Sequence, residues 1–534
     1  MRPDAFSHLA VTAQTHPAGY AFHKYWSRKP HNVVRAALQA CGVGPGEVVL
    51  DPFCGSGVPL SEAAALGATC VGLDVNPVAV LLTSATLQPP DPTRFLEFFG
   101  ALLNETEREF APRYAVDGQP LHHAVHATVV VCSACQRRVA ADESAKRGRI
   151  YTCPHCTGRL AFNLENLVAT RVVRVVLADG NQRLLDPAHE VAAANRNQHG
   201  GVCDQPFEPN ARILAFRGMR TQDLFTQRNF ALLTQVAGRI ADLPADVRPA
   251  ARLTLTAAVA QCSRLIAWRN DLTTGGPAWT VPGFWVPPLH LEMHPIAHLR
   301  ARMHRTHKGF LHLAGMAGRG PHHRVDAGDA ATALTTLPER GQVAVAFVDP
   351  PYGDSVPFLE FSSLWNSFLG RVPDPGLDLA VSNRTRGDGD WPSYGAGMAA
   401  VAQGLKTVLR PDGKALVTFN NKDLRAWQAL LAALQQAGFR CQGAFYQHPA
   451  VVSAKAQLAP DGSYVGDVYS VFAQSAEAPT DDLAAVHAAV QQALRAATSR
   501  PSDEALARVA MLAALRGNLD ARLLSSVRLL RGPA

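Results

Sequence analysis

Short apolar segments alternate with amphipathic segments near both ends of the chain. The short apolar segments are residues 47–50, 69–73 and 345–348. The amphipathic segments, with apolar residues at helical spacing, are 33–38 and 60–66. Short apolar runs bounded by turn residues are typical of buried strands, and the amphipathic segments are typical of helices that cover a sheet. The pattern predicts an α/β fold with an open, Rossmann-like sheet.

The alternation is interrupted after the second predicted strand. The third one is predicted only near residues 325–329, and the roughly 240 residues between them are too many for a loop. We therefore predict four parts: the N-terminal part of the sheet domain in 1–88, an inserted region in 89–320, the C-terminal part of the sheet domain in 321–475, and a helical appendix in 476–534.

Length and charge narrow the class of protein. A chain of 534 residues is expected to form two or three domains. A formal charge of +7 suits a polyanionic partner such as nucleic acid, although an ordinary, mildly basic enzyme remains an alternative. The chain begins without a basic and apolar leader and has no run long enough to span a bilayer. We expect a cytoplasmic protein without membrane contact.

Two Cys-x-x-Cys pairs lie in the inserted region. Cys132 and Cys135 form the first pair, and Cys153 and Cys156 form the second after a spacer of seventeen residues. Four thiolates at this spacing predict a zinc ribbon with a closed, structural Zn²⁺ site. The basic residues of the spacer either contact phosphates or form a solvated face. Further along, five histidines between residues 290 and 307 predict a basic, DNA-facing helix in preference to a second metal site.

Acidic residues and glycines follow the first two predicted strands. The first strand leads into Asp51-Pro52-Phe53-Cys54-Gly55-Ser56-Gly57, and the second ends at Asp74, with Asn76 two residues on. The glycines would let backbone amides approach a ligand, and Asp51 can accept from an ammonium group. A carboxylate at the end of the second strand is placed to accept from ribose hydroxyls.

The segment Asp349-Pro350-Pro351-Tyr352 follows the strand at 345–348. Prolines end the strand, and ligands bind at the carboxyl ends of strands in open α/β sheets. The turn would present a carboxylate, the free carbonyl of Pro350 and an aromatic ring. These groups suit a planar base that carries an amino group.

Together these motifs resemble the DNA methyltransferases that modify exocyclic amino groups, the N6-adenine and N4-cytosine type with an Asp-Pro-Pro-Tyr motif, here with an inserted zinc ribbon. The resemblance covers residues 21–88 and 325–474. It implies a fold that binds S-adenosyl-L-methionine and catalytic roles for Asp349, Pro350, Pro351 and Tyr352. It also implies cofactor contacts for ten residues: Lys29, Pro30, Asp51, Pro52, Phe53, Gly55, Gly57, Asp74, Asn76 and Asp329.

The resemblance further implies sequence-specific methylation of a base flipped out of double-stranded DNA, with target recognition in the insertion. In a restriction-modification system the cognate nuclease would be a separate chain. The insertion departs from the family pattern, because it follows the second strand, whereas the family pattern places it after the third. Two alternatives stay open: a tRNA guanine-N2 methyltransferase, which shares both motifs, and a non-catalytic zinc-ribbon protein that binds nucleic acid.

Overall fold

The structure is a computed structural model. It describes residues 6, 9–148, 150–184, 190–192, 202–210, 213–268, 283–316, 323–381, 391–421, 423–450 and 466–476. The helical appendix predicted for residues 476–534 therefore lies outside the described residues, apart from residue 476.

The N-terminal part of the chain forms the first half of a sheet and its covering helices. Strand β1 is fully buried at Val49 and Leu50, and Pro77 occupies the first turn of the helix after β2, where its missing N–H costs nothing. The elements in chain order are α1 (Ala18–Ala21), α2 (His31–Ala40), β1 (Val48–Asp51), α3 (Val58–Ala65), β2 (Thr69–Asp74) and α4 (Pro77–Leu87).

The inserted region combines helices with long antiparallel strands that the sequence pattern did not predict. Its elements are α5 (Pro92–Phe110), β3 (Ala115–Val116), β4 (Gln119–Val131), β5 (Arg138–Ala140), β6 (Ala145–Arg147), β7 (Ile150–Thr152), β8 (Arg159–Leu160), β9 (Leu167–Leu177), β10 (Gln182–Leu184), β11 (Glu190–Ala192), α6 (Gln227–Arg239), α7 (Arg248–Val259), β12 (Leu289–Met293) and α8 (Pro295–Ala314). Short 3-10 turns lie at Ala111–Tyr114, Thr221–Leu224, Ile240–Asp242 and Ala260–Cys262.

The C-terminal part returns to alternating strands and helices. Its elements are β13 (Arg324–Ala327), α9 (Ala330–Ala333), β14 (Val343–Val348), α10 (Phe358–Phe368), α11 (Trp391–Val408), β15 (Leu409–Phe419), α12 (Leu424–Gln436), β16 (Phe439–Gln447) and β17 (Asp467–Gln474), with a 3-10 turn at Pro375–Leu377.

One seven-stranded sheet joins the two ends of the chain. Its order is β13-β2-β1-β14-β15-β17-β16. The first five strands pair in parallel, and β17 runs antiparallel to both of its neighbours. Because β2 and β14 lie on opposite sides of β1, the carboxyl ends of β1 and β14 form a switch point. This mixed α/β sheet fits a Rossmann-like methyltransferase fold, and the third strand in chain order, β13, does follow the insertion.

The inserted helices share a hydrophobic core with one face of this sheet. Leu82 of α4, Phe95 of α5, Phe310 of α8 and Trp365 of α10 are all buried in it. The histidine-rich helix α8 thus contributes one face to the core and leaves its basic side exposed. The division at residues 88 and 320 stays a prediction. No helix in the described ranges is both long enough and apolar enough to cross a membrane.

Candidate active site

A cleft of about 850 Å³ opens at the switch point of the sheet. Clefts at a switch point hold the ligands of open α/β sheets. Loops after β1, β2, β13 and β14 line it, together with the segment before α2. The structure brings these predicted residues to its walls: Lys29, Asp51, Pro52, Phe53, Gly55, Asp74, Asn76, Asp329, Asp349 and Pro351.

Asp349 is held at the end of buried strand β14 by three donors on one oxygen. Its Oδ1 lies 3.2 Å from Lys29 Nζ, 2.6 Å from the Tyr352 hydroxyl and 2.7 Å from Thr418 Oγ1. Among the residues that the structure describes, none donates to Oδ2. One oxygen is therefore fixed, and the other remains available for an N–H donor in the cleft.

Lys29 bridges two carboxylates. Its Nζ also lies 3.5 Å from Oδ2 of Asp467, at the start of β17. Burial alone would lower the pKa of Lys29, but the charges of Asp349 and Asp467 outweigh it, so the pKa is raised and the side chain is an ammonium ion. The structure thus places Lys29 against the carboxylate of Asp349, and its predicted contact with the cofactor stays a prediction. Sequence analysis missed Asp467, because it lies in an ordinary strand without a motif.

Two neighbouring side chains contact the ring of Tyr352. Lys29 Nζ lies 4.8 Å from the ring centroid, and the ring of Phe419 packs at an angle, 4.9 Å away. Burial and the nearby Asp349 raise the pKa of Tyr352, so its hydroxyl stays protonated and donates. The stacking role of Tyr352 stays a prediction.

The backbone of the Pro-Pro-Tyr turn is fixed by side chains from later elements. The Tyr394 hydroxyl donates to the carbonyl of Pro351 at 2.9 Å, and Asn421 Nδ2 donates to that of Tyr352 at 2.7 Å. In the part of the chain described, the carbonyl of Pro350 has no donor. Neither Pro350 nor Tyr352 lines the cleft, and the accepting role of the Pro350 carbonyl stays a prediction.

The loop after β1 and the end of β2 are tied together by Asp74. Its Oδ2 accepts from the amide of Gly55 and its Oδ1 from the amide of Asn76, both at 2.8 Å. Burial raises the pKa of Asp74 to about 6. Asp51 accepts from the Phe53 amide at 3.0 Å, and its pKa is raised well above its usual range, first by burial and then by neighbouring carboxylates.

Gly57 lies outside the cleft lining and serves helix packing instead. Its φ is +75°, and a Cβ atom there would lie 2.6 Å from Thr86 Oγ1 and 2.9 Å from the Cα of Thr83 on α4. Its amide donates to the carbonyl of Cys54 at 2.7 Å, and the predicted cofactor contact of Gly57 stays a prediction. Its missing side chain allows α3 and α4 to pack closely.

Asn76 lines the cleft, and its side chain also bonds to α10. Its Nδ2 donates to Ser362 Oγ and its Oδ1 accepts from Asn366 Nδ2, both at 2.9 Å. Its side chain is buried and ties the loop after β2 to α10. Asp329 caps α9 by accepting from two backbone amides and lines the cleft, whereas Asp326 pairs with Arg324 and does not.

Aromatic side chains from the segment before α2 form a wall of the cleft that sequence analysis did not assign. Tyr25 stacks with Phe358 at 6.2 Å, and Trp26 stacks with Trp365 at 4.8 Å. Both tie the segment to α10, directly after the catalytic turn. The signal in the sequence was the aromatic pair ahead of Lys29, but its partners are distant in the chain.

Carboxylates outnumber ammonium groups in and beside the cleft. Asp51, Asp74, Asp349 and Asp467 are grouped there around the ammonium of Lys29. Arg28 also lines the cleft, but its guanidinium donates to backbone carbonyls. A surplus of carboxylates fits a ligand with positive charge, such as the sulfonium and α-ammonium groups of S-adenosylmethionine.

The four predicted zinc ligands converge. Their sulfur atoms lie within 4.8 Å of one another, with Cys132 and Cys156 at 3.6 Å and Cys135 and Cys153 at 3.7 Å. Each Cys-x-x-Cys pair closes the same knuckle turn, in which the amide four residues on donates back to the first cysteine. Tetrahedral zinc with bonds near 2.3 Å requires sulfur separations of about 3.8 Å, so the cluster fits Zn²⁺.

Comparison with known proteins supports a methyltransferase. A family model described as "RMKL-like, methyltransferase domain" matches residues 31–125. The Type II methyltransferase M.MjaII of Methanocaldococcus jannaschii is 31% identical over 72 residues, which cover 14% of this chain and 13% of that protein. The chain therefore spans only a small part of this relative's length. The comparison with solved structures gave no match.

The fold and the matches together support a methyltransferase domain, and such a domain implies S-adenosylmethionine as its cofactor. The matched region 31–125 runs past residue 88, the predicted start of the insertion, through α5 and into β4.

Proposed function

We propose that this protein is an S-adenosylmethionine-dependent, sequence-specific DNA methyltransferase that acts on the exocyclic amino group of adenine (N6) or cytosine (N4) in a flipped-out base. The observation that carries the proposal is Asp349, which lines the cleft: three donors fix its Oδ1, and among the described residues none donates to its Oδ2. With the carbonyl of Pro350, this oxygen would give two acceptors at the end of a strand for the two N–H groups of an amine.

The chemistry follows from the weak nucleophilicity of such an amine, whose lone pair is delocalised into the ring. Accepting both N–H groups at Asp349 and Pro350 would localise that lone pair toward the cofactor. Bound S-adenosylmethionine supplies a methyl group already activated by the positive sulfur. The nitrogen gains a methyl group and loses one proton, and Asp349 Oδ2 is placed to receive it.

Residues outside the turn set the geometry of this reaction. Lys29 and Thr418 hold Asp349 in one orientation. The carboxylate is therefore already ordered in the folded protein, and its ordering adds no free-energy cost to each turnover. Flipping the base costs a few kcal/mol, which contacts to phosphates and to the pocket would offset. A nuclease of a restriction-modification system would be a separate partner chain.

The test is incubation with labelled S-adenosylmethionine and either mixed-sequence duplex DNA or total RNA, followed by digestion and nucleoside mass spectrometry. Methyl on N6-adenine or N4-cytosine in DNA is the expected result. Methyl only on guanine N2 of RNA would replace the proposal with the tRNA alternative. Cofactor binding without turnover on either nucleic acid would favour the non-catalytic alternative.

A further inference from the structure

A second groove, of about 1060 Å³, lies between the zinc-binding segment and the chain that leads into β12. We call residues 131–160, which carry the four cysteines, the ribbon. None of the residues that line this groove lines the methyltransferase cleft. Those that matter here are Lys146 and Tyr151 from the ribbon and Trp268, Trp285, Pro287 and Pro288 from the opposite wall.

Trp285 is presented to solvent by a fixed backbone. Its side chain is 39% exposed, and no other Phe, Tyr or Trp among the described residues is so exposed. The neighbours Phe284 and Val286 are buried, and Phe284 stacks with Phe207 at 5.3 Å. Phe284 adopts φ +53°, which a bulky residue does only when packing enforces it. The segment therefore holds a tryptophan at the surface at the expense of backbone strain.

The groove places cations beside aromatic rings on both walls. The Arg174 guanidinium lies 5.7 Å from the ring of Trp268, and Lys146 Nζ lies 5.2 Å from the ring of Tyr151. Flat rings interleaved with basic side chains form the combination that binds single-stranded nucleic acid, because bases stack on the rings and cations contact the phosphates.

The surrounding charge favours the same ligand. The acidic side chains of the ribbon, Asp142 and Glu143, both pair with Arg171 of β9. The basic side chains of the ribbon are exposed and extend the positive surface away from the groove: Arg137, Arg138, Lys146, Arg147 and Arg159. A polyanion is thus electrostatically matched to this face.

We propose that this groove binds an unpaired base of a nucleic-acid strand, stacked against Trp285, with Lys146 and the ribbon arginines on the flanking phosphates. The inference rests on the proposed function, because the bound nucleic-acid strand would belong to the same molecule that is methylated in the cleft. It also gives the zinc site a purpose, because the ion fixes the wall that carries Lys146 and Tyr151.

The test uses the full chain and fluorescence anisotropy, without S-adenosylmethionine, on labelled oligonucleotides of about 16 nucleotides, a length that covers typical single-strand sites. The probes are single-stranded DNA, its blunt duplex and RNA of the same sequence. Trp285→Ala is expected to weaken single-strand binding roughly 5- to 100-fold, the loss of one stacked base. Lys146→Glu is expected to weaken it and to flatten its salt dependence.

Matched controls come from exposed residues elsewhere. Val372→Ala after α10 and Lys406→Glu at the C-terminal end of α11 should bind like the wild type. Circular dichroism checks that each variant is folded. The DNA and RNA arms show which nucleic acid supplies the base.

Wild-type binding by Trp285→Ala would overturn the proposal, as would an equal loss on the blunt duplex, which has no unpaired base. The two proposals fail separately. If no nucleic acid is methylated but single-strand binding still depends on Trp285, only the methyltransferase proposal falls. If methylation occurs and Trp285→Ala binds single strands with wild-type affinity, only the groove proposal falls.

Discussion

Lys29 Nζ lies 3.2 Å from Oδ1 of Asp349, so a residue that precedes β1 anchors the carboxylate that follows β14. Lys29 is 3% exposed and also contacts Asp467 of β17. The catalytic carboxylate is thus positioned by the two halves of the sheet domain together, although the long insertion separates them in sequence.

Replacing Lys29 with methionine should disable the site. The change leaves Asp349 and Asp467 close together without their cation, and breaking such a buried pair typically costs about 3–5 kcal/mol. We expect a lower midpoint of urea unfolding and a loss of methyl transfer. Adding Asp467→Asn to Lys29→Met removes one of the two carboxylate charges that have lost their cation, and should recover part of the stability. Wild-type activity in Lys29→Met alone would contradict this role.

Asp349→Ala should abolish methyl transfer and leave cofactor binding nearly intact. The side chain accepts from the amine, whereas Asp51, Asp74 and the loop after β1 form the other wall of the cleft. Calorimetric titration with S-adenosylmethionine and the nucleoside assay separate the two effects. Asp326→Ala, which removes a half-exposed carboxylate outside the cleft, is the control. Loss of both properties in Asp349→Ala would count against a purely catalytic role.

Cofactor affinity should weaken as the pH falls through about 6. Burial raises the pKa of Asp74 to about 6 from its usual 3.8, so acidification removes the negative charge that would accept from ribose hydroxyls. Because the folded form binds this proton more tightly than the unfolded chain, the contribution of Asp74 to stability declines as the pH rises from about 4 to 6. Titrations at several pH values test this, and Asp74→Asn should bind weakly with no such step.

About one zinc ion per chain should copurify with the protein, as plasma mass spectrometry can measure. Cys156→Ser removes one of four ligands and should lose the ion and expose the ribbon to proteolysis. The sheet domain should still unfold cooperatively, because its core does not include the cluster. Cys203→Ser, outside the cluster, is the control. Full zinc content in Cys156→Ser would rule out the four-cysteine site.

Gly57→Ala and Gly395→Ala should shift stability in opposite directions. Gly57 has φ +75° and no room for a Cβ atom beside Thr86, so alanine there should cost about 1–3 kcal/mol. Gly395 lies in α11 with open space around it, and alanine should stabilise that helix by up to about 1 kcal/mol. Urea unfolding measures both. A neutral Gly57→Ala would refute the packing role.

The sequence by itself determined the features that depend on local pattern. Buried runs predicted β1, β2 and β14, the Asp-Pro-Pro turn predicted a carboxylate at the cleft, and cysteine spacing predicted the cluster. Each signal lies within a few neighbouring residues. It depends on hydrophobic periodicity, on the restricted backbone of proline or on the spacing of metal ligands.

Only the tertiary structure decided which distant residues complete the site. Thr418 reaches Asp349, and Asp467 reaches Lys29, because β15 and β17 lie beyond β14 in the sheet. Strand order has no signature in a single strand. For the same reason the sequence did not indicate the bonds between the Asn76 side chain and α10, and the long strands β4 and β9 were missed. These contacts depend on how the elements pack, and packing is a property of the whole chain.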